Sequence, residues 1–131
     1  MLTHPFNAKS CRKRLLEELN RYKSLYIGLD FDNTIYDFHH KGGNYQQVID
    51  LLKKCSDLGH KIILCSCETN PLRLKEKVNY CKAMGISIFA VNSNPEVLTG
   101  SHKPYYSILL DDRAGLEEAY NTLKYAIENQ A

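Results

Sequence analysis

The sequence predicts an α/β domain in which a doubly wound parallel sheet of about four strands is flanked by helices. Short apolar runs alternate along the chain with amphipathic segments of helical periodicity, and short polar loops connect them. Polar residues follow each apolar run, and the carboxyl ends of parallel strands meet at one edge of a sheet. We therefore expect the functional residues to lie together at that edge.

The composition is typical of a soluble protein with one domain. A chain of 131 residues, 44% of them hydrophobic, can bury a core without disulfides or a structural metal. No apolar run approaches the roughly 20 residues of a membrane span, and the N-terminus lacks an apolar signal core, so we expect a cytoplasmic protein without membrane association. The net charge of +2 is too small to indicate a partner.

The cysteines predict buried, reduced thiols and no disulfide framework. They are odd in number and lie mostly within apolar segments. Cys65 and Cys67 are separated by a single residue, which does not match the C-x-x-C spacing of redox or zinc sites. The five cysteines are Cys11, Cys55, Cys65, Cys67 and Cys81.

Residues 1–23 are predicted to form a basic amphipathic helix that packs on a core formed by residues 24–131. Ser10 is the predicted N-cap of this helix. Its apolar stripe comprises Cys11, Leu15, Leu16, Leu19 and Tyr22. Its basic face comprises Lys9, Arg12, Lys13, Arg14, Arg21 and Lys23. Such a face is either solvated or binds an anionic partner such as nucleic acid.

Four strands and three further helices alternate over the remaining chain. The predicted strands are residues 25–29, 61–65, 86–91 and 106–110. The first helix carries apolar residues from Val48 to Leu58 and ends at Gly59. The second begins near Pro71 and ends at Gly85, and the last runs over residues 116–127. This order predicts right-handed crossovers between parallel strands.

Two carboxylates follow the first predicted strand with one residue between them. Alternation in an extended segment places Asp30 and Asp32 on the same side of the chain. Two like charges so close are costly unless a cation or a shared proton offsets their repulsion. The pattern fits either a catalytic acidic pair or an aspartate-rich turn.

The other predicted strands also end in polar residues. Ser66 follows the second, Asn92 and Asn94 follow the third, and Asp111 and Asp112 follow the fourth. Several aspartates in one crevice form a hard oxygen site that suits Mg²⁺.

Four segments resemble, in order, the motifs of the haloacid dehalogenase superfamily of hydrolases. The segment Asp30-Phe31-Asp32-Asn33-Thr34 resembles the first motif, and Ser66 after an apolar strand resembles the second. Lys103, in His102-Lys103-Pro104, resembles the third, and Asp111-Asp112 resembles the fourth. Asn33 and Ser66 stand where the family often has Gly and Thr. The resemblance covers residues 25–116.

The resemblance implies a Rossmann-like fold and a phosphatase that acts on phosphomonoesters. It implies that Asp30 is the nucleophile, which forms an aspartyl-phosphate, and that Asp32 is the general acid and base. It also implies that Ser66 and backbone amides near Phe31 and Cys67 donate to phosphoryl oxygens, and that Lys103 neutralises charge. Thr34 is expected to have a structural role.

The same resemblance implies a Mg²⁺ site. Its ligands would be the carboxylate of Asp30, the backbone carbonyl of Asp32 and Asp111, with Asp112 holding either the metal or its waters. Which of Asp111 and Asp112 is the direct ligand stays open.

The loops after the first and third strands are too short to fold a cap domain, so the resemblance is to the small capless phosphatases. An open site admits a phosphorylated substrate of any size or is covered by a second subunit of a homo-oligomer. Candidate substrate contacts, equally plausible as loop-surface residues, are Glu68, Thr69, Asn70, Arg73 and Arg113.

Two alternatives stand beside the phosphatase. One is a catalytically silent module of the same fold that binds phosphate or a partner. The other is a nucleic-acid end phosphatase, suggested by the basic N-terminal helix. A response-regulator receiver is disfavoured, because its adjacent acidic pair follows the first strand, whereas here the adjacent pair follows the last.

Overall fold

A computed structural model describes residues 5–94 and 105–131. It contains, in chain order, α1 (Ala8–Tyr22), β1 (Tyr26–Asp30), α2 (Gln46–Asp57), β2 (Lys61–Cys65), α3 (Pro71–Ala83), β3 (Ile88–Val91), β4 (Ile108–Leu110) and α4 (Leu116–Asn129). The four strands form one parallel sheet in the order β3-β2-β1-β4. The prediction of a Rossmann-like α/β fold with a parallel sheet and flanking helices is confirmed.

The strand order reverses beside β1. The chain steps outward from β1 to β2 and then to β3, with α2 and α3 as the connecting helices. The next described strand, β4, pairs with β1 on the side opposite β2. In open parallel sheets the crevice at such a reversal is where ligands bind. Here that crevice lies between the carboxyl ends of β1 and β4.

One face of the sheet carries the apolar core. Alternate residues of the inner strands, such as Ile27, Leu29 and Leu64, are completely buried. They belong to a single cluster to which all four helices contribute, through Leu19, Leu52, Cys81 and Leu123 among others. On the other face the ring of Tyr26 contacts the edges of Phe89 and Tyr105, at centroid distances of 6.5 and 5.8 Å.

The N-terminal helix begins earlier than the sequence predicts. The Asn7 side chain accepts hydrogen bonds from the backbone N–H groups of Lys9 and Ser10, so Asn7, and not Ser10, caps α1. Cys11 and Tyr22 of the predicted stripe are exposed, because the helix lies against α4 and buries only Leu15 and Leu19 fully.

Two predicted strands are shorter in the structure. The third begins at Ile88 and not at residue 86, and the fourth begins at Ile108 and not at residue 106. Local apolar character does not fix strand ends, because pairing requires a neighbouring strand at the right register. The helix ends are as expected: Gly59 and Gly85, with φ of +86° and +84°, follow α2 and α3.

The cysteines are all free, as the sequence predicts. Cys55 and Cys81 are buried, and burial raises the pKa of their thiols to about 12 and about 11. Cys11 and Cys67 are exposed, so the expectation of buried thiols is wrong for these two. Among residues 5–94 and 105–131, no helix combines the length and apolar character needed to span a membrane.

Substitution of Gly28, in the middle of β1, tests the packing on the sheet face that carries Tyr26. A Cβ at this position would lie 2.8 Å from Cδ1 of Tyr106 and 3.0 Å from Cδ1 of Leu109. We expect Gly28→Ala to lower the free energy of unfolding by about 1–3 kcal/mol, as overpacking does. Denaturant unfolding measures the change. The double variant with Tyr106→Ala should lose less than the sum of the single losses, and simple additivity would contradict the proposed clash.

Candidate active site at the carboxyl edge of the sheet

The strand register brings the predicted site residues together. Leu29 of β1 pairs with Leu110 of β4, so the next residues, Asp30 and Asp111, leave the sheet side by side. On the other side, Asp30 pairs with Cys65 of β2, and Ser66 follows at the same edge.

Three carboxylates converge between β1 and β4. Oxygen atoms of Asp30, Asp111 and Asp112 all lie within 4.8 Å of one another. Asp30 and Asp111 are partly buried and Asp112 is exposed. This acidic triad is therefore reached from solvent, while its innermost carboxylate is anchored in a buried strand. Hard carboxylate oxygens in such a cluster are ligands that suit Mg²⁺.

Burial and neighbouring carboxylates lower the acidity of Asp30. Burial is the largest cause, and the negative charge of Asp111 and the contact with Asp112 add to it; together they raise the pKa of Asp30 to about 6 from an ordinary 3.8. The hydroxyl of Thr34 acts in the opposite direction by donating to the carboxylate. A cation between these side chains would relieve the repulsion.

Thr34 ties the two halves of the triad together. Its completely buried side chain donates from Oγ1 to Oδ2 of Asp30 at 3.3 Å. Oγ1 of Thr34 also accepts the backbone N–H of Asp112, at 3.2 Å. One hydroxyl thus fixes the Asp30 carboxylate and the loop after β4, consistent with the structural role expected for Thr34.

A tight turn carries the chain away from Asp30. The N–H groups of Thr34 and Ile35 donate to the carbonyl of Phe31, and the N–H of Asn33 donates to the carbonyl of Tyr36. Asn33 has a φ of +62°, a left-handed conformation that Asn and Gly adopt more readily than other residues. The backbone thus explains why an Asn suits position 33.

Asp32 does not join the acidic triad. Its Oδ2 lies 3.6 Å from Nζ of Lys77, a residue of α3. Of the four aspartates predicted to hold a metal, three therefore bring their carboxylates together, and the Asp32 carboxylate lies apart with a cation. This arrangement is compatible with the expectation that only the backbone carbonyl of Asp32 would serve the metal.

Ser66 is held in place by residues of the segment after β3, of the loop after β2 and of helix α3. The Asn92 side chain accepts the backbone N–H of Ser66 at 2.9 Å and donates to its carbonyl at 2.8 Å. Oγ of Ser66 accepts the N–H of Glu68 at 3.1 Å and Nζ of Lys77 at 3.2 Å. The serine predicted to contact phosphate is thus fixed in both backbone and side chain.

Two of the five suggested substrate contacts, Glu68 and Asn70, have structural roles in the loop after β2. The carboxylate of Glu68 accepts the N–H groups of Thr69 and Asn70. The side chain of Asn70 caps α3 by accepting the N–H of Leu72 at 2.9 Å. Arg73 and Arg113 are exposed. Lys103, the predicted motif lysine, lies outside the described residues.

Sequence reasoning missed Lys77 and gave Asn92 no specific role. A signal for Lys77 was present, since it lies three residues after Leu74 and four before Cys81, on the apolar stripe of its helix. A lysine on an inward-facing stripe predicts a buried partner of opposite charge. No comparable signal in the sequence connects Asn92 with Ser66.

The role of Thr34 can be tested by removing its hydroxyl. We expect Thr34→Val to lower the free energy of unfolding by about 1–3 kcal/mol, because the N–H of Asp112 and the Asp30 carboxylate each lose a partner. Denaturant unfolding provides the measurement. Thr69→Val, in an exposed loop, is the matched control and should change stability by no more than about 0.5 kcal/mol. Equal losses in the two variants would refute the bridging role.

The raised pKa of Asp30, caused first by burial and then by the neighbouring carboxylates, predicts a pH dependence of stability without divalent cations. Because the folded state raises the pKa of Asp30 to about 6, it binds the proton more tightly than the unfolded chain does. The contribution of Asp30 to stability is therefore complete below pH 3.8 and is lost as the pH rises to about 6.

Unfolding in EDTA at a series of pH values tests this prediction. Asp30→Asn, which cannot ionise, should be less sensitive than the wild type across the same interval. The comparison between the two proteins cancels the titration of groups remote from the acidic triad. Parallel pH profiles would show that the folded state does not raise the pKa of Asp30.

Comparison with known proteins supports the fold. A solved structure described as a conserved protein coded by a locus of Bacteroides thetaiotaomicron matches with a TM-score of 0.59 and 29% sequence identity. The match covers 77% of this chain and 90% of that one. No family model matches the chain, and no curated protein matches it. The similarity thus extends over most of both chains and carries no statement of activity.

Proposed function

We propose that this protein is a Mg²⁺-dependent phosphatase that hydrolyses phosphomonoesters through an aspartyl-phosphate on Asp30. The observation that carries the proposal is the convergence of the Asp30, Asp111 and Asp112 carboxylates within 4.8 Å at the edge where strand order reverses. The resemblance of four sequence motifs to the haloacid dehalogenase superfamily supports the same assignment.

The acidic triad fits a divalent cation. Three carboxylates this close repel one another, and a hard cation offsets that repulsion. Asp30, Asp111 and Asp112 would hold Mg²⁺, with the backbone carbonyl of Asp32. When bound, the ion would reduce the negative charge that a phosphate ester meets on approaching Asp30.

In the first half of the reaction, a carboxylate oxygen of Asp30 attacks phosphorus. A new bond forms between that oxygen and phosphorus, and the bond from phosphorus to the ester oxygen breaks. The leaving oxygen takes a proton from the Asp32 carboxyl group. The hydrogen bond from Thr34 to Oδ2 orients the Asp30 carboxylate for this attack.

In the second half, Asp32 takes a proton from water as the water oxygen attacks the aspartyl-phosphate. Inorganic phosphate leaves and the Asp30 carboxylate is regenerated. Asp32 suits this two-way transfer because it lies two residues beyond the nucleophile and stands outside the acidic triad. Its side chain is 35% exposed, so water reaches it.

The silent phosphate-binding module remains the main alternative. It would use the same Ser66 and the same acidic residues but would not turn over substrate. The nucleic-acid phosphatase, the homo-oligomer and the cytoplasmic location remain predictions from sequence. In α1, Arg12 of the predicted basic face pairs with Glu118 of α4 at 3.8 Å. This arginine therefore contributes to the contact between α1 and α4.

A panel of phosphate esters assayed with Mg²⁺ and with EDTA tests the enzyme. We expect hydrolysis with Mg²⁺, background rates in EDTA, and a loss of at least about 100-fold in Asp30→Asn and Asp32→Asn, because each removes a reacting group. Asp57→Asn, an exposed residue at the end of α2, is the matched control and should retain full activity.

One pattern of rates would exclude the enzyme. If the wild type with Mg²⁺, the wild type in EDTA and Asp30→Asn all give the same background, no ester in the panel is a substrate. Binding of inorganic phosphate under those conditions would then favour the silent module.

A further inference from the structure

Lys77 is a largely buried lysine on α3. Only 17% of its side chain is exposed. Removing an ammonium group from water is costly unless anionic or polar partners replace the water. The partners of Lys77 therefore indicate which kind of ligand the surrounding residues can bind.

Those partners come from the ends of two strands. Nζ of Lys77 donates to Oγ of Ser66 at 3.2 Å, after β2, and lies 3.6 Å from Oδ2 of Asp32, after β1. It also lies over the ring of Phe31, 5.4 Å from the centroid. Lys77 thus connects two residues to which the sequence assigns phosphate chemistry.

Lys77 also determines how Ser66 can bond. A hydroxyl has two acceptor lone pairs and one donor hydrogen. Both acceptor positions of Ser66 are used, one by the N–H of Glu68 and one by Nζ of Lys77. The hydroxyl hydrogen remains to donate, and a phosphoryl oxygen is an acceptor. A ligand that accepts this hydrogen lies next to the ammonium group.

The pair with Asp32 is weak enough to be exchanged. Its separation of 3.6 Å exceeds the range of a good hydrogen bond, and the Asp32 side chain is 35% exposed. A phosphoryl group carries more negative charge than one carboxylate and accepts several hydrogen bonds. It would therefore attract the ammonium group more strongly than Asp32 does.

We propose that Lys77 is a phosphate-binding residue of this site, in addition to the lysine predicted at position 103. Its ammonium group binds a phosphoryl oxygen beside Ser66 and gives up the pair with Asp32, which is then released for proton transfer. The inference rests on the proposed function in that both require a phosphoryl group at this edge of the sheet.

Calorimetric titration with inorganic phosphate in Mg²⁺ tests the proposal without any turnover. We expect Lys77→Met to raise the Kd for phosphate by about tenfold or more, the effect of losing one charge-assisted hydrogen bond. Lys77→Arg, which keeps the charge, should retain part of the affinity. Lys75→Met is the matched control, an exposed lysine on the same helix, and should bind as the wild type does.

A folded Lys77→Met variant that binds phosphate with the wild-type Kd overturns the inference, as does a wild type that binds no phosphate. If Lys77→Met does not fold, the test uses the ¹³Cε NMR signal of Lys77 in the wild type. This signal is assigned by its absence from the spectrum of Lys77→Arg. We expect that signal to shift on phosphate addition, and no shift overturns the inference.

The ester assay separates this inference from the proposed function. Phosphate binding that depends on Lys77 in a protein without turnover supports the inference and refutes the phosphatase. Turnover that Lys77→Met leaves unchanged in both KM and kcat supports the phosphatase and refutes the inference. If both hold, Lys77→Met should raise KM in parallel with the phosphate Kd.

Discussion

The mutual repulsion of Asp30, Asp111 and Asp112 is the constraint on which the candidate site depends. These carboxylates do not attract one another; the pairing of β1 with β4 and the hydroxyl of Thr34 hold them within 4.8 Å. Packing elsewhere in the domain must offset the electrostatic cost, as it commonly does at functional sites. A cation bound between these side chains would offset the same cost.

Rigid elements support every part of this edge. The residues that precede Asp30 and Asp111 are Leu29 and Leu110, both completely buried, so the carboxylates extend from strand ends that are packed into the core. Ser66 is fixed by the Asn92 side chain and by the two donors that reach its hydroxyl oxygen. Donors oriented before a ligand arrives do not have to reorganise when it binds, which favours both binding and catalysis.

Local patterns predicted the elements well, because burial and periodicity are properties of neighbouring residues. The apolar runs of β1 and β2 and the glycine that ends α2 all identify structure within a few positions. The errors lie at element ends. Asn7 and Ser10 both suit an N-cap, and the structure uses Asn7 because its side chain reaches two free N–H groups of the first turn.

By itself the sequence determined the parallel α/β fold and the polar character of each strand end, since both follow from composition along short segments. Only the tertiary structure decided which side chains meet. Thr34 bonds to Asp112, 78 residues away, and Lys77 contacts Asp32 and Ser66 rather than solvent. Such contacts depend on strand order and register, which set distances between residues remote in the chain, and no local pattern encodes those distances.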